Sequence, residues 1–140
     1  MQAKEVMTDK IALVPSSSSI QAAAELMRRM DVGMLPVAED GRLVGTVTDR
    51  DITIRAVADG ADPRATAARQ VMNREVISCY EDQDAREVAR MMEENGVRRI
   101  VVVNRNDEAV GIISVDDLAL HPETRMLAIE VVQRVSKHNA

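Results

Sequence analysis

Two stretches of this chain repeat one arrangement of residues able to do chemistry. "VGTVTDRDI", Val44 to Ile52, and "VGIISVDDL", Val110 to Leu118, each run glycine, two strand-type residues, a hydroxyl residue, two spacers and an aspartate. The pairs are Thr48 with Asp51 and Ser114 with Asp117. This spacing supports two uses. In a capping box the hydroxyl accepts from the amide three residues on, and the acid reaches back to the first amide. The carboxylate then also sits at the positive end of the helix dipole. The same geometry presents amides to an anion and a carboxylate that can accept from both hydroxyls of a ribose, as acidic residues do in dinucleotide-binding folds. The two uses are compatible, because Thr48 can serve both.

Catalytic groups are scarce. His121 and His138 are the only imidazoles, and both fall near the C-terminus, outside the repeated stretches. The single cysteine, Cys79, has no histidine at a spacing expected of a nucleophile pair. "GRLVG" from Gly41 lacks the Lys-Ser/Thr ending of a phosphate-binding loop. Asp49, Asp51, Asp116 and Asp117 can be assembled into a Mg²⁺ site, but acids at helix starts explain them with fewer assumptions. The chain is therefore not expected to be an enzyme, and no metal is assigned to it.

The elements that must position these residues are themselves repeated. "VMT" at Val6 recurs as "VMN" at Val71, an offset of 71 − 6 = 65. Ile20, Ala23, Ala24 and Met27 recur at that offset as Ala85, Val88, Ala89 and Met92, both sets at the spacing of one apolar helix stripe. Ser19 and Asp84 precede the stripes as natural N-caps. Each stripe is followed by a β-type run, "MLPVAE" or "RIVVVN", then a short turn and a second run leading into the opening motif. Strand pairs so joined read as antiparallel hairpins. "IALV" and "EVIS" supply an earlier strand in each copy, and "ITIRAVADG" and "LALH" a closing helix. One turn residue more in the second copy makes the glycine offset 111 − 45 = 66.

The expected fold class is α+β, with two strand–helix–strand–strand–helix repeats packed with pseudo-two-fold symmetry. A copy of about 60 residues alone buries little surface. The expected boundaries are repeat one at 1–60, a linker at 61–70 within "DGADPRATAARQ", repeat two at 71–120 and a tail at 121–140. In that tail Ala128, Val131, Val132 and Val135 recur at helical spacing, and must be buried on the chain's own body or on a second copy.

Composition removes several function classes. A formal charge of −5 opposes general nucleic-acid binding. Tyr80 is the only aromatic residue, so base-stacking platforms are missing. No apolar run approaches the roughly 18 residues of a membrane span, and "MQAKEVMTDK" lacks the apolar segment of a secretory signal. A cytoplasmic location without membrane attachment is the expectation.

"GMLPVAEDGRLVGTVTDRDI" resembles a CBS domain, the regulatory module named after cystathionine beta-synthase, and "GVRRIVVVNRNDEAVGIISVDDL" resembles its partner in a tandem Bateman module. The resemblance spans roughly Val6 to Leu118 and is similar to small stand-alone bacterial CBS proteins. It implies a sensor that binds an adenosine-type nucleotide in the cleft between repeats and signals by conformational change. AMP, ADP or ATP come first as ligand, with NADH and S-adenosylmethionine behind them, and no cofactor is required. By the same resemblance Thr48, Asp51, Ser114 and Asp117 contact ribose and phosphate, while Arg98 and Arg99 face the phosphates. Gly33 and Met34 stand at those two places in the first copy, which carries Arg50 instead, opposite Asp116 of the second. Arg50, Arg98 and Arg99 are thus candidates for one shared cluster, since the planar guanidinium suits phosphate oxygens. Asp116 beside Asp117 weakens phosphate binding by repulsion. The adenine would lie near the first strands, at Leu13, Val14 and Pro15 and at Ile77, Ser78 and Cys79, although as apolar strand residues these suit a core better than a ligand wall. Family members associate as two-fold dimers, which implies a homodimer built on "AKEVM" and the C-terminal helix, with a further protein partner unidentified. The alternative is a ligand-free dimeric interaction scaffold; a third reading is a small metal-dependent hydrolase.

Overall fold

A computed structural model describes residues 1–138 and the side chains of residues 1–136. The side chain of His138 lies outside the described residues. In chain order the elements are α1 (Ala3–Val6), β1 (Val14–Pro15), α2 (Ile20–Met30), β2 (Met34–Glu39), β3 (Arg42–Thr48), α3 (Asp49–Ile52), a π-helical turn (Thr53–Val57), α4 (Ala68–Val71), β4 (Ser78–Tyr80), α5 (Ala85–Asn95), β5 (Arg99–Val103), β6 (Ala109–Ser114), α6 (Val115–Leu120) and α7 (Arg125–His138). Two three-stranded sheets result, β1-β2-β3 and β4-β5-β6. In each, the first strand pairs parallel with the second, which pairs antiparallel with the third. The fold is mixed α+β with one such arrangement per repeat.

The predicted caps form. Ser19 accepts from the Ala22 amide at 3.1 Å and Asp84 from the Arg86 amide at 2.8 Å, so α2 and α5 start where the apolar stripes begin. Middle strands β2 and β5 are buried on both faces over Met34–Val37 and Ile100–Val103, as their near-continuous apolar sequence requires. The stripe of α5 is buried throughout, whereas Ala24 of α2 is exposed beside buried Ile20, Ala23 and Met27.

The first strands are shorter and later than "IALV" and "EVIS". Val14 pairs with Val37, and Cys79 with Val102. Ser78 also pairs with Val101, but the position equivalent to Val101 is Pro36. Proline has no N–H to give a neighbouring strand, so β1 has two residues where β4 has three.

The chain divides into two compact units that do not follow chain order. One is Ala12–Val76; the other joins Met1–Ile11 to the chain from Ile77 onward. α1 thus belongs with the second repeat: Ala3 and Val6 lie in one core with Val88, Met92, Ile100, Ile113 and Leu118. The end of the stretch expected as a linker belongs with the first: Ala68, Val71 and Met72 share a core with Ile20, Leu35, Val37 and Val47. α7 buries Ala128, Val131 and Val135 on the second repeat's core, while Val132 of the expected stripe remains 39% exposed.

Candidate functional site

Both repeated motifs fold as capping boxes. Thr48, extended at the end of β3, accepts from the Asp51 amide at 3.0 Å, and Asp51 Oδ2 accepts from the Thr48 amide at 2.9 Å. Ser114, at the end of β6, accepts from the Asp117 amide at 3.1 Å, and Asp117 Oδ2 accepts from the Ser114 amide at 2.9 Å and from Ser114 Oγ at 3.1 Å. Each carboxylate is thereby fixed against the last residue of a strand.

A third partner arrives from the "VMT" and "VMN" segments. Asn73 Nδ2 donates to Asp51 Oδ2 at 2.8 Å, and Thr8 Oγ1 donates to Asp117 Oδ1 at 3.1 Å. The segments are held by paired backbone bonds, Asn73 with Thr46 and Thr8 with Ile112. They pass directly over the motif glycines. A Cβ on Gly45 would stand 2.6 Å from Met72 Sδ and 2.7 Å from the Asn73 carbonyl oxygen; one on Gly111 would stand 2.5 Å from Met7 Sδ and 3.0 Å from the Thr8 carbonyl oxygen. The repeated glycine therefore exists to let this segment approach. The sequence motifs do not mark Asn73 and Thr8 as site residues, although the recurrence of "VMT" and "VMN" is a signal for them.

The copies then diverge. Arg55, on the π-helical turn, donates to the carbonyls of Val71 at 2.9 Å and Met72 at 3.2 Å, and to Asn73 Oδ1 at 2.9 Å. Its Nη1 lies 3.9 Å from Asp51 Oδ1. Asp51 is 8% exposed. Asp117 is half-buried, His121 stands at the place of Arg55 (121 − 55 = 66), and among the described residues no cation forms an ion pair with Asp117.

The remaining predicted residues fall as follows. Arg99 is exposed and lies directly across the sheet from Ser114, where the first repeat sets buried Met34 across from Thr48. Arg98 is exposed and donates to Ser136 Oγ of α7 at 3.1 Å. Arg50 is exposed on α3, in the unit of the first repeat, while Arg98 and Arg99 are in the other. Val14 is 2% exposed and belongs to the core, Leu13 beside it is exposed, and Ile77 is partly buried against the second repeat's core. Val14 can offer a ligand only backbone groups. Cys79 is buried, and that burial pushes its thiol up from 9.0 to about 12. It is a core residue.

No helix among the described residues is long and apolar enough to cross a membrane. Among the described residues no group of three or more His, Cys, Asp or Glu is placed to hold a metal ion.

Two sheets of one topology, each ending in the same hydroxyl–aspartate cap, define a tandem pair of small α+β modules. The chain belongs to the CBS domain family, whose model matches residues 3–57 and 68–122. It is 35% identical over 136 residues to CBS domain-containing protein YhcV of Bacillus subtilis, covering 97% of this chain and 96% of that protein. It is 34% identical over 120 residues to Hypoxic response protein 1 of Mycobacterium tuberculosis, covering 85% of this chain and 83% of that protein. The crystal structure of Hypoxic Response Protein I, with two coordinated zinc ions, superposes with a TM-score of 0.79 over 86% of this chain and 98% of that one. A CBS domain protein from Pyrobaculum aerophilum complexed with AMP is 27% identical, with a TM-score of 0.77, covering 95% of this chain and 99% of that one. The CBS domain pair of protein MJ0100, in complex with 5′-methylthioadenosine and S-adenosyl-L-methionine, is 27% identical, with a TM-score of 0.74 over 85% of this chain and 93% of that one.

Proposed function

We propose that this protein is a regulatory module that binds an adenosine-type nucleotide and signals through a change of conformation. The observation that carries this reading is the common part of the neighbours' ligands. AMP, 5′-methylthioadenosine and S-adenosylmethionine differ in their tails and share adenine and ribose. A ribose asks for a fixed acceptor, and each repeat of this chain holds one, Asp51 or Asp117, at a strand end beside a hydroxyl residue. AMP, ADP and ATP are the first candidates, with S-adenosylmethionine alongside and NADH behind. Arg50, Arg98 and Arg99 supply charge for a phosphate, with Val14 and Ile77 beside the strands where the adenine would lie. The ligand acts by favouring one conformation over another. Catalysis has no part in this reading.

The test is a melting-midpoint panel with AMP, ADP, ATP, NADH and S-adenosylmethionine. A ligand at 100-fold over its Kd adds about 2.7 kcal/mol, or several degrees at about 2–4 °C per kcal/mol. A shift with at least one of them is expected. No shift with any would favour the rival, a ligand-free scaffold.

The chain is further proposed to act as a homodimer. α1 sends Ala3 and Val6 into its own unit, whereas α7 exposes Met126, Ile129 and Val132, at 68%, 47% and 39%, which makes α7 the part of the expected dimer surface still open to a partner. Sedimentation of wild type as a dimer and of Ile129→Glu as a monomer is expected. A monomeric wild type would refute the dimer.

A further inference from the structure

The two aspartates sit at equivalent places but are not equally available. Asp51 Oδ2 already accepts from the Thr48 amide and from Asn73 Nδ2, and Asp51 Oδ1 faces the Arg55 guanidinium at 3.9 Å. Arg55 is itself held by the Val71 and Met72 carbonyls and by Asn73 Oδ1. Turning Asp51 toward a ligand would strand the Asn73 side-chain amide, an unpaired polar group that is costly, and would draw the carboxylate away from the exposed Arg55 guanidinium beside it. Among the described residues Asp117 meets no cation and no side-chain amide; its Oδ2 accepts from the Ser114 amide and from Ser114 Oγ. The donor to its Oδ1 is the hydroxyl of Thr8, an exposed residue. A hydroxyl can rotate away, or stay and accept from an incoming ribose hydroxyl, because it is both donor and acceptor.

The flanking charge divides: exposed Asp116 adjoins Asp117 where exposed Arg50 adjoins Asp51, but across the sheet the cation belongs to the second repeat. Arg99 lies across the strand pair from Ser114, on the same face and exposed, whereas buried Met34 lies across from Thr48.

We propose that Arg55 and Asn73 lock Asp51 into a fastening for the segment after α4, and that the adenosine-type ligand is selected by the second repeat, through Asp117, Ser114 and Arg99. This rests on the nucleotide reading above. Arg55 and Asn73 are positioning residues: they withhold one of two similar carboxylates and so limit the chain to one ribose acceptor. The π-helical turn has a purpose in this scheme, since it carries the arginine that reaches both Asp51 and the end of α4.

The experiment uses the full chain, with AMP and S-adenosylmethionine as probes, on wild type, Asp51→Asn, Arg55→Gln, their double variant and Asp117→Asn. Asp51→Asn and Arg55→Gln should each lower the ligand-free midpoint, and the double variant should lose less than their sum. Both single variants should keep the probe-induced shift. Asp117→Asn should lower the ligand-free midpoint less than Asp51→Asn and bind about 10- to 100-fold more weakly, the usual loss of a hydrogen bond to a charged group. Should Asp51→Asn fail to fold, Asn73→Ala tests the lock alone: it should lower the ligand-free midpoint and leave probe binding dependent on Asp117. Loss of the shift in Asp51→Asn with retention in Asp117→Asn would overturn the proposal while leaving the nucleotide reading intact. Strictly additive midpoint losses for Asp51 and Arg55 would overturn the lock. If wild type shifts with neither probe, nor with ADP, ATP or NADH, the nucleotide reading falls, and the assignment of Asp117 falls with it.

Discussion

Asp51 and Asp117 close the same capping box, but a guanidinium and a side-chain amide stand by the first and a hydroxyl by the second. Arg55 lies at 3.9 Å from one, and its counterpart position beside the other holds His121. That difference decides what each carboxylate is free to do, although both sequences read alike over the motif. Cys79 shows the complementary case, a reactive side chain silenced by its place. Desolvation lifts its thiol from 9.0 to about 12, so the thiolate is nearly absent at neutral pH. Iodoacetamide at pH 8 should therefore modify the native protein far more slowly than the urea-unfolded chain, and equal rates would contradict its core position. The same shift has a stability consequence. The folded state favours the neutral thiol, so this contribution is complete below about pH 9 and is lost as the pH rises from 9 toward 12, where the unfolded chain ionises first. Urea melts across that range should show the decline, and Cys79→Ala should flatten it.

At the scale of elements, much was legible because it is local. The stripes of α2 and α5 follow from helical spacing, their starts from Ser19 and Asp84, and the hairpins from turn residues between apolar runs. What sequence did not show was long-range. Pro36 shortens β1 through a missing donor to a strand some twenty residues away, and Ala24 leaves a stripe whose counterpart Ala89 is buried. Arg55 reads as one more helix charge until the π-helical turn aims it at Val71, Met72 and Asn73. α7 divides its apolar residues between two faces. Val131, fully buried, belongs to the second repeat's core, while Met126 and Ile129 face outward. Val131→Ala should cost about 2 kcal/mol in a urea melt, and Met126→Ala, measured at concentrations too low for association, less than about 0.5 kcal/mol. Equal costs would mean that α7 does not pack as described.

For the whole molecule, the decisive feature is that order along the chain and membership of a unit differ. "VMT" precedes the first repeat yet seals the second, and "VMN" precedes the second yet seals the first. The recurrence of these segments was visible in the sequence. Their exchange was not, because nothing local to Val6 or Val71 says which glycine they will cover. Each ligand-type motif is thus completed by a segment from far along the chain: Thr8 reaches Asp117 and Asn73 reaches Asp51. In the proposed reading, a ligand that engages Asp117 would meet Thr8 of the N-terminal segment there, a contact through which binding would reach that segment. The central claim is that this CBS pair binds an adenosine-type ligand at one of its two similar motifs. Titration calorimetry of the full chain with AMP, and with S-adenosylmethionine should AMP be silent, tests it most directly. The account predicts saturable binding of one ligand per chain, much weakened in Asp117→Asn and retained in Asp51→Asn. Two equal sites per chain, or no binding heat with either ligand, would contradict it.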